Sequence, residues 1–479
     1  MRALAVRAAS AMRWRAGQLA GVQLIYFARL LLLAALLAPE DFGLLAIAAI
    51  ALSVLMQVSD VGMIPALVHR HDATPEQHDA AWTVALTRAL LVTGALVVAA
   101  PWVAALFKEP RAAPIIQALA LRPSIEALAS IGIAHLTREL KFRELAFLYL
   151  PVAVVDLSVA LLLAERFGVW ALVAGTLAGS VTLVMLSYVL APHRPRLRWQ
   201  WSEALPLVEF GRWVLLMGVA TLAGTLITQL AVSRMLGATA LGLFFLAVKL
   251  AFVPTDAANA VVGAVAFPVF SRLRHDPAAA SRYFLSVLTA LYLVLLPVFA
   301  LTFVLAPQLE VVLGARWDDT APIVQILCLA AVLGIISSVL HQYLMGHGDA
   351  RGAFRIDALN AVALVLVLVP CLLFWGVHGA AVAWLVGSLA TLALAVARIG
   401  QLMPGVLQAA RPPLFAAVIV ALVAASVAGF AARPLDGLSA IAVGASAGVA
   451  AGALVLWWLN AALRLQLQDL RVLLRTSND

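Results

Sequence analysis

The stretch 241–273, LGLFFLAVKLAFVPTDAANAVVGAVAFPVFSRL, decides how the chain is read. It is long enough to cross a bilayer as a helix, yet it holds Lys249, Asp256 and Asn259 in its middle. At 100° per residue, Lys249, Asp256, Asn259 and Gly263 fall within an arc of about 80°, so one face is polar and the rest apolar. A charge at mid-bilayer costs roughly 2.5–3.5 kcal/mol on insertion scales, which makes an intramembrane ionisable residue a marker of function by default. Two readings stay open: a stripe facing a wet cleft, or an internal Lys249–Asp256 pair that neutralises itself between helices.

The stretch has a twin. Asp41-Phe42-Gly43-Leu44 matches Ala240-Leu241-Gly242-Leu243, and Pro65 followed by HRHDA matches Pro268 followed by SRLRHDP. Further along, Gly168-Val169 and Gly179-Ser180 recur as Gly376-Val377 and Gly387-Ser388. The offset drifts only from 199 through 203 to 208, so two homologous halves of about two hundred residues follow, as in transporters built from parallel repeats.

Composition excludes a soluble domain. The chain is 64% hydrophobic and 12% charged, with a mean hydropathy of +1.03, whereas soluble domains are about half apolar and about a quarter charged. Cys328 and Cys371 lie in apolar segments with no partner at ligand spacing, so neither a disulfide framework nor a zinc site is indicated. The net charge of +8 comes from basic residues in short connections, which fits membrane orientation better than nucleic acid.

Windows of about twenty residues predict an all-α polytopic protein. Six spans fall near 16–37, 43–68, 80–106, 112–136, 146–164 and 168–192. A second six follow near 213–233, 241–270, 283–305, 320–344, 356–375 and 378–397, and two more near 412–432 and 437–460. These fourteen group into an N-terminal lobe (1–200), a C-terminal lobe (201–403) and a pair of added helices with a tail (404–479). With both termini cytoplasmic, 22 Lys and Arg fall inside and 6 outside, and Arg29, Arg88, Arg122 and Lys249 stay within spans. The connection His193–Arg212 mixes arginines with Trp199 and Trp201, as an interfacial linker would. The tail sets Arg464, Gln468, Arg471 and Arg475 on one helical face, which suits either a helix lying on an anionic leaflet or a solvated end of the last span.

Three segments carry a family resemblance: Leu37-Ala-Pro-Glu-Asp-Phe-Gly-Leu44, Ala240-Leu-Gly-Leu-Phe-Phe-Leu-Ala247 with Phe267-Pro268, and Leu313-Gly-Ala-Arg-Trp-Asp-Asp-Thr-Ala-Pro322. In this order, from about Gln18 to Leu402, they resemble the Wzx-type, WzxC-like flippases of lipopolysaccharide and exopolysaccharide. That group is the polysaccharide-transporter family of the multidrug/oligosaccharidyl-lipid/polysaccharide (MOP) superfamily. The family commonly has an Arg a few residues before the Pro-Glu-Asp-Phe-Gly motif, where this chain has Ala35; the second half keeps Arg234. No role is carried onto Ala35. The resemblance implies two six-helix lobes forming a V around a cavity that opens alternately to either side, as in MATE-like folds. It implies a bacterial inner-membrane flippase whose cargo is an oligosaccharide repeat unit on a carrier of the undecaprenyl diphosphate type, for O-antigen, capsule or exopolysaccharide assembly. Membrane lipids and other polysaccharide-assembly proteins are the implied partners, with no nucleic acid, no metal and no cofactor. A proton or sodium gradient, or the membrane potential, would drive it.

Such a cargo needs cations for its phosphates and hydroxyl- or amide-bearing side chains for its sugars. Arg29 shares a face of the first span with Gln18 and Tyr26, and its planar fork suits phosphate; the competing reading pairs it with Asp60 to hold helices together. Ser53, Gln57 and Asp60 lie within about 60° on the second span and mirror Lys249, Asp256 and Asn259. Asp60 and Asp256 are the candidates for ion coupling. Arg88 is the second candidate cation, with Asp156 as its prospective cross-helix partner. Arg122 and Glu126, one turn apart, read as a structural pair. Trp317 in the longest outside loop reads as an interfacial aromatic. His69, His71 and His78 lack a metal-binding pattern and read as solvated.

No GxxxxGK[ST], HExxH or GxSxG motif is present, so ATP hydrolysis, zinc proteolysis and serine hydrolysis have no motif support. A MATE-like multidrug or cation exporter is the same-fold alternative, and its acidic cavity fits poorly with Arg29 and Arg88. A membrane polymerase, ligase or glycosyltransferase would need a larger outside loop than Ala306–Ala321.

Overall fold

The computed structural model of the chain describes residues 2–59, 75–133, 136, 139, 141–191 and 208–458. Within them the chain forms thirteen α-helices: α1 (Arg2–Leu36), α2 (Pro39–Ser59), α3 (Pro75–Leu106), α4 (Ala112–Leu119), α5 (Leu121–Ala127), α6 (Phe142–Phe167), α7 (Val169–Leu190), α8 (Val208–Arg272), α9 (Pro277–Leu313), α10 (Thr320–Gly346), α11 (Ala350–Leu402), α12 (Val406–Ala432) and α13 (Gly437–Trp458). Eleven of the described helices are long and apolar enough to cross a membrane. The molecule is a multi-pass membrane protein. Two of the eleven are bent pairs. Gly237 (φ 87°, ψ 177°) interrupts α8, and Gly376 (φ 56°, ψ −136°) interrupts α11. The limbs of each pair are the separate spans that the hydropathy pattern predicts.

The fourth span departs from expectation. In place of one helix over 112–136, the chain forms the short helices α4 and α5 and leaves the helix after Ala127. Pro123 is the physical reason for the break at Ala120, since it has no N–H for the carbonyl four residues back and its ring crowds that turn. The side chain of Thr93 on α3 closes the gap by donating to Ala120 O at 2.6 Å. Its hydroxyl also shares a 2.6 Å hydrogen bond with that of Ser124.

Contacts divide the chain into two units. Unit 1 is Met1–Leu222 with Gly237–Gly242, and unit 2 is Ala223–Leu236 with Leu243–Asp479. In unit 1, α6 packs on α1 and α7, and α4 lies against α2 and α3. In unit 2, α9 packs on α10, α12 and α13, and α10 packs on α11.

The repeat is visible in the backbone. Gly168, between α6 and α7, has φ 54° and ψ −128°, nearly the values of Gly376 at the matching bend of α11. Both glycines hold a conformation that a side chain resists, so each half makes the same tight turn between its last two spans. Lys108 and Gly314 form a second matched pair of positive φ, at 58° and 85°.

The signature motifs are structural. Asp41 accepts from Ala38 N (3.2 Å) through one oxygen and from Val169 N (3.1 Å) through the other, joining the α1–α2 turn to the N-terminus of α7. A carboxylate is favourable there because the first helical N–H groups are unpaired. Glu40 pairs with Arg111, and Phe42 is buried. Gly43 and Gly242, the twin glycines, bring two chain segments together. A Cβ on Gly43 would lie 2.0 Å from Ala238 O, and one on Gly242 would lie 1.7 Å from Pro39 O.

Trp317 corrects the sequence reading. It is fully buried, not interfacial. Gly314, at φ 85°, ends α9, and a 3₁₀ turn over Ala315–Trp317 follows. Glu310 then accepts from Ala321 N at 2.7 Å, fixing the start of α10 against the end of α9.

Candidate functional site

Unit 1 gathers charged side chains of α1, α5 and α6 into one cluster against α7. Arg29 on α1 pairs through Nε with Asp156 Oδ1 on α6 at 2.9 Å, off hydrogen-bond alignment. Its Nη2 donates to Leu172 O (3.2 Å) and to Thr176 Oγ1 (3.3 Å) on α7. Asp156 is buried, and two glycines of α7 make room for it. A Cβ on Gly175 would meet Asp156 Oδ1 at 2.7 Å, and one on Gly179 would meet its Cβ at 3.2 Å. The partner of Arg29 is therefore Asp156, the residue assigned on sequence to Arg88. The alternative partner, Asp60, lies outside the described residues.

One turn of α5 supplies the second cation. Arg122 donates through Nε to Glu126 Oε1 at 2.8 Å, and Ser180 Oγ donates to the same oxygen at 3.1 Å. The intrahelical pair expected from sequence is present. Its Nη groups have no partner among the described residues, and the side chain is 46% exposed. A half-exposed guanidinium packed among membrane-spanning helices has a low-energy place only where it meets water or an anion. Tyr26, on the α1 face that carries Arg29, feels the charges of Asp156, Arg122, Arg29 and Glu126.

The remaining candidates fall as follows. Gln18 is buried and accepts from Arg15 at 3.0 Å. Gln57 is half-buried on α2, and Arg88 is half-buried on α3. In unit 2, Lys249, Asp256 and Asn259 are all exposed on α8. Lys249 lies over the ring of Phe245 at 5.7 Å, and no Lys249–Asp256 ion pair forms among the described residues. Asn259 accepts from Ser338 of α10 at 2.7 Å. His69, His71, the linker 193–207 and the tail from 459 lie outside the described residues.

Comparing the repeats separates packing from chemistry. At the first offset, Arg29 corresponds to Thr228; at the last, Thr176 corresponds to Trp384. Trp384 Nε1 donates to Thr228 Oγ1 at 3.4 Å, so the Arg29–Thr176 contact of unit 1 recurs in unit 2 without charge. At that last offset of 208, Asp156 corresponds to Leu364. A Cβ on Gly387 would lie 3.4 Å from Leu364 Cβ, as one on Gly179 would lie 3.2 Å from Asp156 Cβ, so Leu364 fills the same glycine groove. Neutral residues fill these positions in one repeat, and a buried Arg–Asp pair fills them in the other. Sequence reasoning missed Thr176 and the Arg29–Asp156 match. The signal was available in the Gly179/Gly387 repeat, had it been extended to the residues those glycines enclose.

The family described as "Polysaccharide biosynthesis protein" matches residues 32–322. ExoT of Rhizobium meliloti strain 1021, a succinoglycan biosynthesis transport protein, is 25% identical over 335 residues, which cover 69% of this chain and 68% of ExoT. The lipopolysaccharide biosynthesis protein WzxC of Escherichia coli K12 is 21% identical over 344 residues, covering 70% and 69%. Among solved structures, the lipid II flippase MurJ in an inward closed conformation superimposes with a TM-score of 0.70 at 13% identity. The match covers 94% of this chain and 99% of MurJ, and it establishes the fold.

Proposed function

The chain belongs to the polysaccharide biosynthesis protein family, and from that premise we propose that it is a flippase for lipid-linked oligosaccharides. It moves repeat units on a polyprenyl diphosphate carrier from the cytoplasmic to the periplasmic leaflet of the bacterial inner membrane, by alternating access, and both its termini are cytoplasmic. It supplies polysaccharide assembly and is not an enzyme. The similarity to ExoT, a transport protein, and to MurJ, a flippase, supports this reading.

The observation that carries the proposal is the charge asymmetry between matched positions. Thr228 and Leu364 occupy in unit 2 the places that Arg29 and Asp156 occupy in unit 1, so the helix contacts do not depend on ions. A buried ion pair is a weak stabiliser relative to neutral packing, because desolvation offsets its Coulomb energy. Arg29 and Asp156 are better explained by a charged cargo. A diphosphate presents oxygens at a spacing that guanidinium forks match with two parallel bonds. The free Nη groups of Arg122 offer the first contact, and Arg29 joins when phosphate displaces Asp156. Lys249 and Arg88 add positive charge; Asn259, Gln57, Gln18 and Tyr26 are the polar groups assigned to sugar. Asp256 and Asp60 are the carboxylates assigned to coupling with a proton or sodium gradient.

Binding tests the assignment directly. Purified protein in nanodiscs is titrated with undecaprenyl diphosphate oligosaccharide and with undecaprenol alone. Tight binding that requires the diphosphate and weakens at least about tenfold in Arg122→Gln, corresponding to roughly 1.4 kcal/mol, is expected. Equal binding of both lipids refutes the phosphate role.

A further inference from the structure

Unit 2 holds a second ionisable pair, unrelated to the α8 stripe that the sequence singles out. His341 Nδ1 on α10 lies 3.6 Å from Asp357 Oδ2 on α11, and both side chains are about one quarter exposed. His341 is five residues from the end of α10 and Asp357 seven from the start of α11. At 1.5 Å per residue the pair therefore sits roughly 8–11 Å inside the two spans. Both segments qualify as membrane spans, so a net charge there is costly.

The repeat does not require the pair. At the offset of 208 that matches Gly387 with Gly179, Asp357 corresponds to Tyr149, so unit 1 builds the same helix with no carboxylate at this position.

The pair also connects to the exposed face of α8. Ser338, one turn before His341, donates to Asn259, and Gln342 lies beside Gly263. Asn259 and Gly263 belong to the arc that carries Lys249 and Asp256. Neighbouring elements bring Tyr343 and His347 on α10, Arg351 and Arg355 on α11, Tyr283 on α9, Arg411 on α12 and Asp256 on α8 to this unit. His341 is the charge that bears on Asp357. Tyr343 and His347 stack on each other at 4.0 Å, and Tyr283 packs on Phe270 at 5.0 Å.

We propose that His341 and Asp357 form a proton-binding site through which unit 2 couples transport to a proton gradient. Loaded, the imidazole nitrogen holds a proton taken from water, and the pair is an imidazolium facing a carboxylate with no net charge. Emptied, the proton returns to water and one negative charge remains in the span. An imidazole is the side chain whose ordinary titration lies between pH 5 and 8, where such a gradient acts. The two states differ in the cost of burial, which is what a coupling site needs.

The inference rests on the reading of the chain as a transporter, and the test separates the two. The full chain in liposomes is followed by pH-difference infrared spectroscopy across pH 5–8, comparing wild type, Asp357→Asn and His341→Gln. The expected result is a wild-type imidazole and carboxyl signal that vanishes in Asp357→Asn and changes in His341→Gln. A parallel assay measures oligosaccharide-lipid movement with and without a pH gradient. Stimulation by the gradient should disappear in Asp357→Asn while exchange without a gradient continues. An infrared signal with no cargo movement would reject the cargo and keep the proton site. A signal indifferent to both substitutions, or failure of both conservative variants to insert, would make the pair a structural tie and overturn the proposal.

Discussion

Arg29 and Asp156 hold each other at 2.9 Å in a setting where their counterparts Thr228 and Leu364 manage without charge, and this contrast can be turned into an experiment. Removing one member leaves an unpaired buried charge, which costs about 3–5 kcal/mol. Arg29→Thr alone and Asp156→Asn alone should therefore both melt well below the wild type. The double variant Arg29→Thr/Asp156→Asn removes both charges together, leaving neither unpaired, and should recover most of that stability while losing transport. Thermal unfolding in detergent and liposome transport read the two effects separately. A double variant that still transports would reduce the pair to scaffolding. The candidate face of α1 was legible in the sequence from the spacing of Gln18, Tyr26 and Arg29. The identity of the partner was not, because periodicity places residues on one helix and is silent about which helix lies opposite.

At the scale of elements, glycines decide how the helices meet. Gly168 and Gly376 share a backbone conformation, so replacing either with Ala should cost about 1–3 kcal/mol in strain. Their surroundings differ. A Cβ on Gly168 would lie 3.2 Å from Asp41 Oδ1, whereas nothing stands within 4 Å of one on Gly376. Gly168→Ala should therefore lower the melting temperature more than Gly376→Ala, by disturbing the Asp41 bridge to the start of α7. Equal losses would show that strain alone matters there. Gly43→Val is expected to be more severe, because its Cβ meets the backbone oxygen of Ala238, which cannot swing aside. Overpacking of this kind costs about 1–3 kcal/mol or more, and reduced yield of folded protein on size exclusion is the readout. The sequence marked these glycines as repeats without showing that they are close approaches. It also predicted a continuous fourth span, since hydropathy does not register the bond that Pro123 removes.

At the scale of the molecule, the two halves of a duplicated chain carry different charged groups. Unit 1 carries a buried Arg–Asp pair and a half-exposed arginine; unit 2 carries exposed Lys249 and Asp256 and the His341–Asp357 pair. The all-α membrane fold and the two-fold repeat were legible because hydrophobic runs and glycine offsets are local properties of the chain. Trp317 shows the limit. An aromatic in an outside loop reads as interfacial until the turn after Gly314 is known to bury it. The account as a whole stands on lipid movement. Proteoliposomes containing the wild type and a labelled undecaprenyl diphosphate oligosaccharide would be assayed for label reaching the opposite leaflet, with Arg29→Thr/Asp156→Asn as the folded comparison. Transfer by the wild type and its loss in the double variant is the predicted result. A wild-type protein that moves no lipid-linked sugar under any imposed gradient, yet expels cationic dyes, would contradict the account and replace the flippase with an exporter.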